Sequence, residues 1–292
     1  MSTVLALASR NILVYVRDRM SVFFSFLSVI IIIGLYALFL GKVQADGIQA
    51  AAGGLRGVRA LVDSWIMAGL LAVNAVTISL GVLGTMVFDR EYRRFTDFIV
   101  APASRTGIVV SYLISACVIS FLFSLVALVV GELYIVAGGG PLLSLRNVVR
   151  VVGMLALDVA SSSAIMFLVA SFLKTGSAFG ALATVLGTLI GFVTGVYVPL
   201  GVLPDAVQKF VVLLPFTHSA AMLRQAFCEA PLATVFSSAP ASVQAQYARE
   251  YGIVLFWGNT EISMPVMVLV VSGAFVLFLA ASAARLRKVG SA

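Results

Sequence analysis

Charge is what this chain has least of. Only 11% of its 292 residues are charged and 61% are hydrophobic, with a mean hydropathy of +1.12. A soluble globular domain carries about 25% charged residues, so that class is excluded and length per soluble domain is the wrong ruler. Cysteine is nearly absent. Cys117 lies in an apolar run and Cys228 in a later segment, which gives neither a disulfide framework nor metal-ligand spacing. There is one histidine, His218. A hydrolytic triad needs a nucleophile, a base and an orienting acid, and no G-x-S-x-G elbow accompanies His218-Ser219. No catalytic residue and no metal site is therefore assigned, and His218 is read as a helix-start or interface residue. No G-x-x-x-x-G-K-[ST] occurs, so the chain has no phosphate loop of its own. No repeat relates its two halves.

What it has is long apolar runs. A membrane span needs about 20 mostly apolar residues. Charge-free runs occur at Met20–Gly41, Ser64–Phe88, Thr106–Gly131, Thr175–Pro204 and Ile262–Ala284, and Val151–Leu173 is broken only by Asp158. The expected fold is all-α and polytopic, with spans over 21–41, 64–88, 106–131, 151–173, 177–198 and 262–284. Val43-Gln44-Ala45 faintly resembles a signal-peptidase site. The run before it exceeds the usual 7–15-residue apolar core of a signal peptide, and five more runs follow, so it reads as an uncleaved span.

Six spans place both termini on one side. With that side inside, the inner segments hold Arg10, Arg17, Arg19, Arg90, Arg93, Arg94, Arg105, Lys174, Arg285, Arg287 and Lys288 in short stretches. The outer ones hold Lys42, Arg56, Arg59, Arg146, Arg150, Lys209, Arg224 and Arg249 over longer loops. The net charge of +7 is thus a positive-inside bias rather than a nucleic-acid footprint. The expected location is a bacterial inner (plasma) membrane with N- and C-termini cytoplasmic.

Between the second and third spans lies FDREYRRFTDFIVAPASR, Phe88–Arg105. Written as a helix, Phe88, Tyr92, Phe95 and Ile99 form one apolar stripe. Asp89 with Arg93, and Arg93 with Asp97, sit at i,i+4, each pair supporting a surface helix by roughly 0.2–0.5 kcal/mol. Pro102 stops it. Basic helices that rest on lipid headgroups lack acids. The mixed charge of Arg90, Glu91, Arg94 and Asp97 favours docking on a soluble partner. Residues 1–20 are amphipathic, with Leu5, Ile12 and Val16 near one face, and read as an in-plane interfacial helix. After the fifth span, Pro199, Pro204 and Pro215 divide residues 199–225 into pieces too short to cross. Such pieces can dip into a leaflet if protein shields their backbone. Residues 226–261 read as an external loop with some order.

Asp158, with Ser161 and Ser162 one turn away, is an intramembrane carboxylate and so a functional candidate. It is either a cation-binding or gap-stabilising group, or a structural Asp bonded to neighbouring hydroxyls. Asn74, Thr77, Gly81 and Gly84 make a small polar stripe that either lines a substrate path or packs helices closely. Packing is the commoner reason. Gly187, Gly191 and Gly195 form a doubled G-x-x-x-G, a close-packing face within the subunit or between subunits.

Together these features resemble the permease subunit of ABC-2 type ABC exporters over nearly the whole chain. Arg10-Asn11 and Arg17-Asp18-Arg19 look like that family's interfacial helix. Asp89–Arg105 looks like its coupling helix. Gly195, Pro199, Gly201, Leu203-Pro204, Leu214-Pro215 and Leu223-Arg224 look like its fifth span and re-entrant helices. The resemblance implies a dimer of permease chains, homodimeric or heterodimeric, with two copies of a cytoplasmic ATP-binding subunit. It implies ATP and Mg on that partner, no cofactor in this chain, and outward transport of a small or amphipathic, drug- or antibiotic-type cargo. A proton-coupled secondary transporter using Asp158 is the rival transport reading; it would usually carry more spans and internal repeats. A membrane-embedded enzyme is the rival from another class, and one histidine is thin material for it.

Overall fold

The computed structural model describes residues 3–36, 38, 41, 57–94 and 104–289. In chain order the helices are α1 (Thr3–Arg17), α2 (Arg19–Leu35), α3 (Val58–Glu91), α4 (Arg105–Ala137), α5 (Leu145–Ser171) and α6 (Gly176–Val193). A 3₁₀ turn at Leu200–Val202 precedes α7 (Asp205–Val212), α8 (Pro215–Val235) and α9 (Ala241–Glu250). A small antiparallel hairpin, β1 (Leu255–Trp257) and β2 (Thr260–Ile262), leads into α10 (Met264–Val289). The protein is an all-α polytopic membrane protein. Five of these helices are long and apolar enough to cross a bilayer, or six if α7 and α8, bent by 88° at their break, count as one. Of the expected first span beyond α2, residues 37, 39 and 40 lie outside the described residues.

Local chemistry sets the boundaries. The side chains of Ser104, Ser144 and Thr175 accept from the backbone N–H of Gly107, Asn147 and Ala178 and so cap α4, α5 and α6. Asp18 does the same for α2. Its Oδ1 accepts from the N–H of Met20 and Ser21, and Ser21 Oγ donates to its Oδ2 at 2.6 Å. Pro215 opens α8, where its missing N–H costs nothing. Past the end of α6, Gly195 takes φ +71, a left-handed turn that a side chain would strain.

Helix α3 is the axis of the fold. Nine-tenths of its apolar window is buried (89%), against 11% for α6 and 17% for α10. It packs on α4, α5 and α8. Two apolar cores lie along it. One gathers Leu61, Trp65, Ile66, Leu155 and Phe227; the other gathers Val76, Leu83, Met86, Tyr112 and Phe167. Polar side chains fall between them.

The structure redraws four expectations. The piece expected to end at Gln225 runs ten residues further as α8, tolerating Pro231 in its last turns. The expected loop 226–261 is therefore mostly that helix, α9 and the hairpin. The packed face of α1 is Ala8, Asn11 and Tyr15, while Leu5 and Val16 are exposed. Ser115 Oγ lies 3.1 Å from the Ala8 carbonyl and Asn11 Nδ2 reaches Ser111 Oγ, so polar contacts to α4 join the packing of Tyr15 and, of the expected stripe, Ile12 in holding α1. The single helix expected over Phe88–Ile99 is broken: α3 ends at Glu91 and Arg93 takes φ +57. The glycine motif is not one face, because Gly195 lies beyond the helix that carries Gly187 and Gly191.

Candidate functional site

Phe88, Asp89, Arg90 and Glu91 are the last turn of α3, and all four contact the chain's own elements. Asp89 is buried. Arg10 Nη1 and Nη2 both donate to its carboxylate, the latter at 3.1 Å, and Tyr112 Oη donates at 2.7 Å. Arg94 stands 3.5 Å away on the solvent side. The hydrogen bond to Asp89 raises the Arg10 pKa above its ordinary value, against partial burial, so this cation stays charged. Arg93 was expected to pair with Asp89; Arg10, nearly eighty residues upstream, takes that place.

Arg90 donates to the carbonyls of Ser171 and Leu173 at 3.0 and 2.9 Å, and Arg285 donates to the Ser171 carbonyl from α10. Two guanidinium groups thus meet the negative end of α5. Glu91 accepts from the Gly176 N–H at 2.9 Å, setting a carboxylate at the positive end of α6. Phe88 meets the Phe179 ring edge-on, with centroids 6.0 Å apart. Tyr92 and Arg94 are exposed, the guanidinium over the ring at 5.5 Å from its centroid. Phe95, Asp97 and Ile99 lie outside the described residues.

Beside this cluster an apolar cleft of about 400 Å³ opens between the α1–α2 junction, α3 and α6, lined by Tyr15, Phe24, Thr77, Gly81, Phe88 and Phe179 among others. A smaller one of about 160 Å³ continues it along α6 to Leu186 and Gly187, sharing Thr77, Gly81 and Phe179. Thr77 Oγ1 returns its proton to the Val73 carbonyl, so its methyl group is free to face the cleft. Gly84 admits the Phe179 ring, whose Cζ would lie 2.9 Å from an added Cβ.

The chain thus combines a buried, charge-clamped helix end, an exposed aromatic–arginine pair just after it, and an apolar cleft on an open helix face. The family model for the ABC-2 type transporter matches residues 2–228. The chain belongs to that family. It is the membrane permease of an ABC transporter, and the match runs from α1 through most of α8. Comparison with curated proteins finds no match.

The permease separates the residues expected to form one path. Thr77 lines the cleft, whereas Asn74, Asp158, Ser161 and Ser162 are buried inside the bundle. Ser162 Oγ donates to Asp158 Oδ1 at 3.2 Å. Of the glycines, Gly187 has nothing within 4 Å of an added Cβ, while Gly191 is covered by the Tyr197 ring. His218 Nε2 meets the Val212 carbonyl at 2.8 Å in the first turn of α8, a helix-start role.

Sequence reasoning missed two things. The Arg10–Asp89 pair has no local signal, because its partners are far apart in the chain. Arg224 reads in the sequence as one of the outer-segment cations, yet it is fully buried, 4.7 Å from the centroid of Trp65. Its three nitrogens have no hydrogen-bond partner among the described residues. Nearby, Trp65 Nε1 donates to the Tyr251 carbonyl and Tyr36 Oη to that of Val196, tying α3 and α2 to the segments flanking the short helices.

Proposed function

We propose that this permease is half of an ATP-driven exporter, that two chains close around the cleft, and that a separate ATP-binding subunit docks on the segment following α3. The observation that carries the reading is the unequal burial of the spans. Helix α6 is an apolar helix with one-tenth of its window covered, and the cleft runs along it against the fully packed α3. A second permease chain covering that face converts an open groove into an enclosed path. Its lining is aromatic and aliphatic with a few hydroxyls, which suits a small amphipathic cargo of the drug or antibiotic type.

The ATP-binding subunit, in two copies, supplies ATP and Mg; this chain supplies no phosphate loop. Tyr92, Arg93, Arg94, Phe95, Asp97 and Ile99 form the docking surface, while Phe88–Glu91 anchor it to the bundle. The Lys and Arg distribution sets this end, with both termini, on the cytoplasmic side of a bacterial plasma membrane. Helix α1 then lies along the inner interface, and α7 and α8 reach the outer leaflet as re-entrant helices. The proton-coupled alternative needs Asp158 to be reachable from the path, and Asp158 does not line the cleft.

The test is replacement of Arg94 and Phe95 by Ala in the permease co-expressed with its ATPase. Membrane insertion should be unchanged, co-purification of the ATPase weakened, and ATP hydrolysis no longer stimulated by cargo. Undiminished co-purification and transport would reject the docking assignment.

A further inference from the structure

Arg224 carries a full charge into a part of α8 with no exposure at all. Its Nε, Nη1 and Nη2 have no hydrogen-bond partner among the described residues. A guanidinium does not shed its proton in a protein, so the charge stays. The Trp65 ring, its centroid 4.7 Å from the guanidinium carbon, attracts the cation but offers the N–H groups no lone pair. The acids on the surrounding elements are spent elsewhere. Asp63 of α3 faces Arg59, and Glu229 of α8 faces Arg150. Glu250 of α9 is exposed and accepts from Gln246. The ionisable groups that act on Arg224, which are Cys228, Tyr36 and Tyr247, are uncharged at neutral pH.

Around that guanidinium the chain places glycine on three elements. A Cβ at Gly69 of α3 would lie 2.9 Å from Nη2, and Cβ atoms at Gly195 and Gly252 would lie 3.4 and 3.3 Å from Nη1. The last two sit in the turns after α6 and α9, at φ +71 and +61. Leu200 covers both turns, 3.0 and 2.7 Å from the same Cβ positions. The turn that carries Gly252 is fixed from two sides. Trp65 Nε1 donates to the Tyr251 carbonyl at 2.6 Å, and Gln225 Nε2 to the Ile253 carbonyl at 3.0 Å. Bare backbone therefore borders both terminal nitrogens in a cradle held by α3 and α8. A buried cation needs a counter-charge as well as hydrogen bonds, and a water molecule would supply only the second.

We infer that the Arg224 guanidinium is the seat of a small monovalent anion, a halide such as chloride, enclosed beside Trp65 by Gly69, Gly195 and Gly252. All the donors belong to one planar group, whose fixed fork of N–H bonds suits an anion. Charge selects the valence. One guanidinium is balanced by one negative charge, whereas a sulfate or phosphate dianion would leave an uncompensated charge in apolar surroundings. Space selects the shape. Three backbones approach closely, which favours a spherical ion over a branched oxyanion. The halide would tie α8 to α3 and to both glycine turns. It lies apart from the cargo path, since none of these residues lines the cleft.

Trp65 is the reporter. The chain has two tryptophans, so Trp257→Phe leaves the fluorescence of Trp65 alone. Trp65 is buried with no exposure, out of reach of collisions with bulk bromide. The experiment titrates this variant in lipid nanodiscs with sodium bromide replacing sodium gluconate at constant ionic strength. The expected result is quenching that saturates and is displaced by chloride but not by sulfate, with a Tm higher in chloride than in gluconate. Arg224→Lys keeps the charge and loses the fork, and should raise the bromide midpoint at least tenfold. Arg224→Gln should abolish the saturable quenching; if it fails to fold, the bromide titration and the Lys variant still decide. Absence of saturable quenching overturns the site, as do equal Tm values in chloride and gluconate or an unaltered midpoint in Arg224→Lys. Displacement by sulfate as effective as by chloride overturns the monovalent assignment. None of these outcomes depends on what the transporter carries.

Discussion

Asp89 concentrates the electrostatics of one end of the bundle on a single carboxylate. Breaking a buried ion pair from one side leaves an uncompensated charge and is costlier than losing both members. Arg10→Ala should therefore lower the Tm more than the Arg10→Ala/Asp89→Asn double variant, with a coupling of about 1.5–3 kcal/mol in a double-mutant cycle. Additive losses would mean that Tyr112 alone satisfies Asp89. Asp18 offers a contrast at an exposed position. Hydrogen bonds from the Ser21 hydroxyl, then from the backbone N–H groups of Ser21 and Met20, hold its pKa below 3.8. Its cap on α2 is fully present above that value and is lost as pH falls through the lower folded value. Asp18→Ala should accordingly weaken α2 at neutral pH by about 1 kcal/mol, and the difference from wild type should vanish in strong acid. A pH-independent difference in Tm would argue against the cap.

Among the elements, α3 and α6 are opposites, and glycine substitutions expose it. A Cβ at Gly69 would lie 2.5 Å from Val196 Cγ2 and 2.9 Å from Arg224 Nη2, whereas one at Gly187 meets nothing within 4 Å. Gly69→Ala should cost about 1–3 kcal/mol through overpacking, and Gly187→Ala in a monomeric preparation should cost nothing measurable by Tm. The helical spans could be read from the sequence, because twenty apolar residues in a row have few other outcomes. Their ends were harder. α3 runs through Asp89–Glu91 because Arg10, Ser171 and Gly176 satisfy those side chains, and each of these partners is distant in the chain. α8 continues past Gln225 because Ala226, Phe227 and Cys228 are buried against α3 and its neighbours, a tertiary fact that periodicity does not carry. The candidate site was half legible. Its residue types were visible, but hydropathy cannot distinguish Thr77, on the cleft, from Asn74, sealed three residues away.

At the scale of the whole molecule, the exposed stripe of α6 is the face that the proposed second chain covers. Gly187→Cys in a background without Cys117 and Cys228 should form a disulfide between two permease chains in native membranes, visible as a dimer on non-reducing gels. The same exchange at the buried Gly69 should not. A monomer band at every α6 position tried would refute the α6 contact. Finally, the joint at residues 172–175 between α5 and α6 is braced by one turn of α3: Arg90 holds the Ser171 carbonyl that precedes it and the Leu173 carbonyl within it, and Glu91 holds the amide that follows it. A connection clamped in this way cannot act as a hinge. A load applied just beyond Glu91 therefore reaches α3, α5 and α6 together, with no slack at the corner.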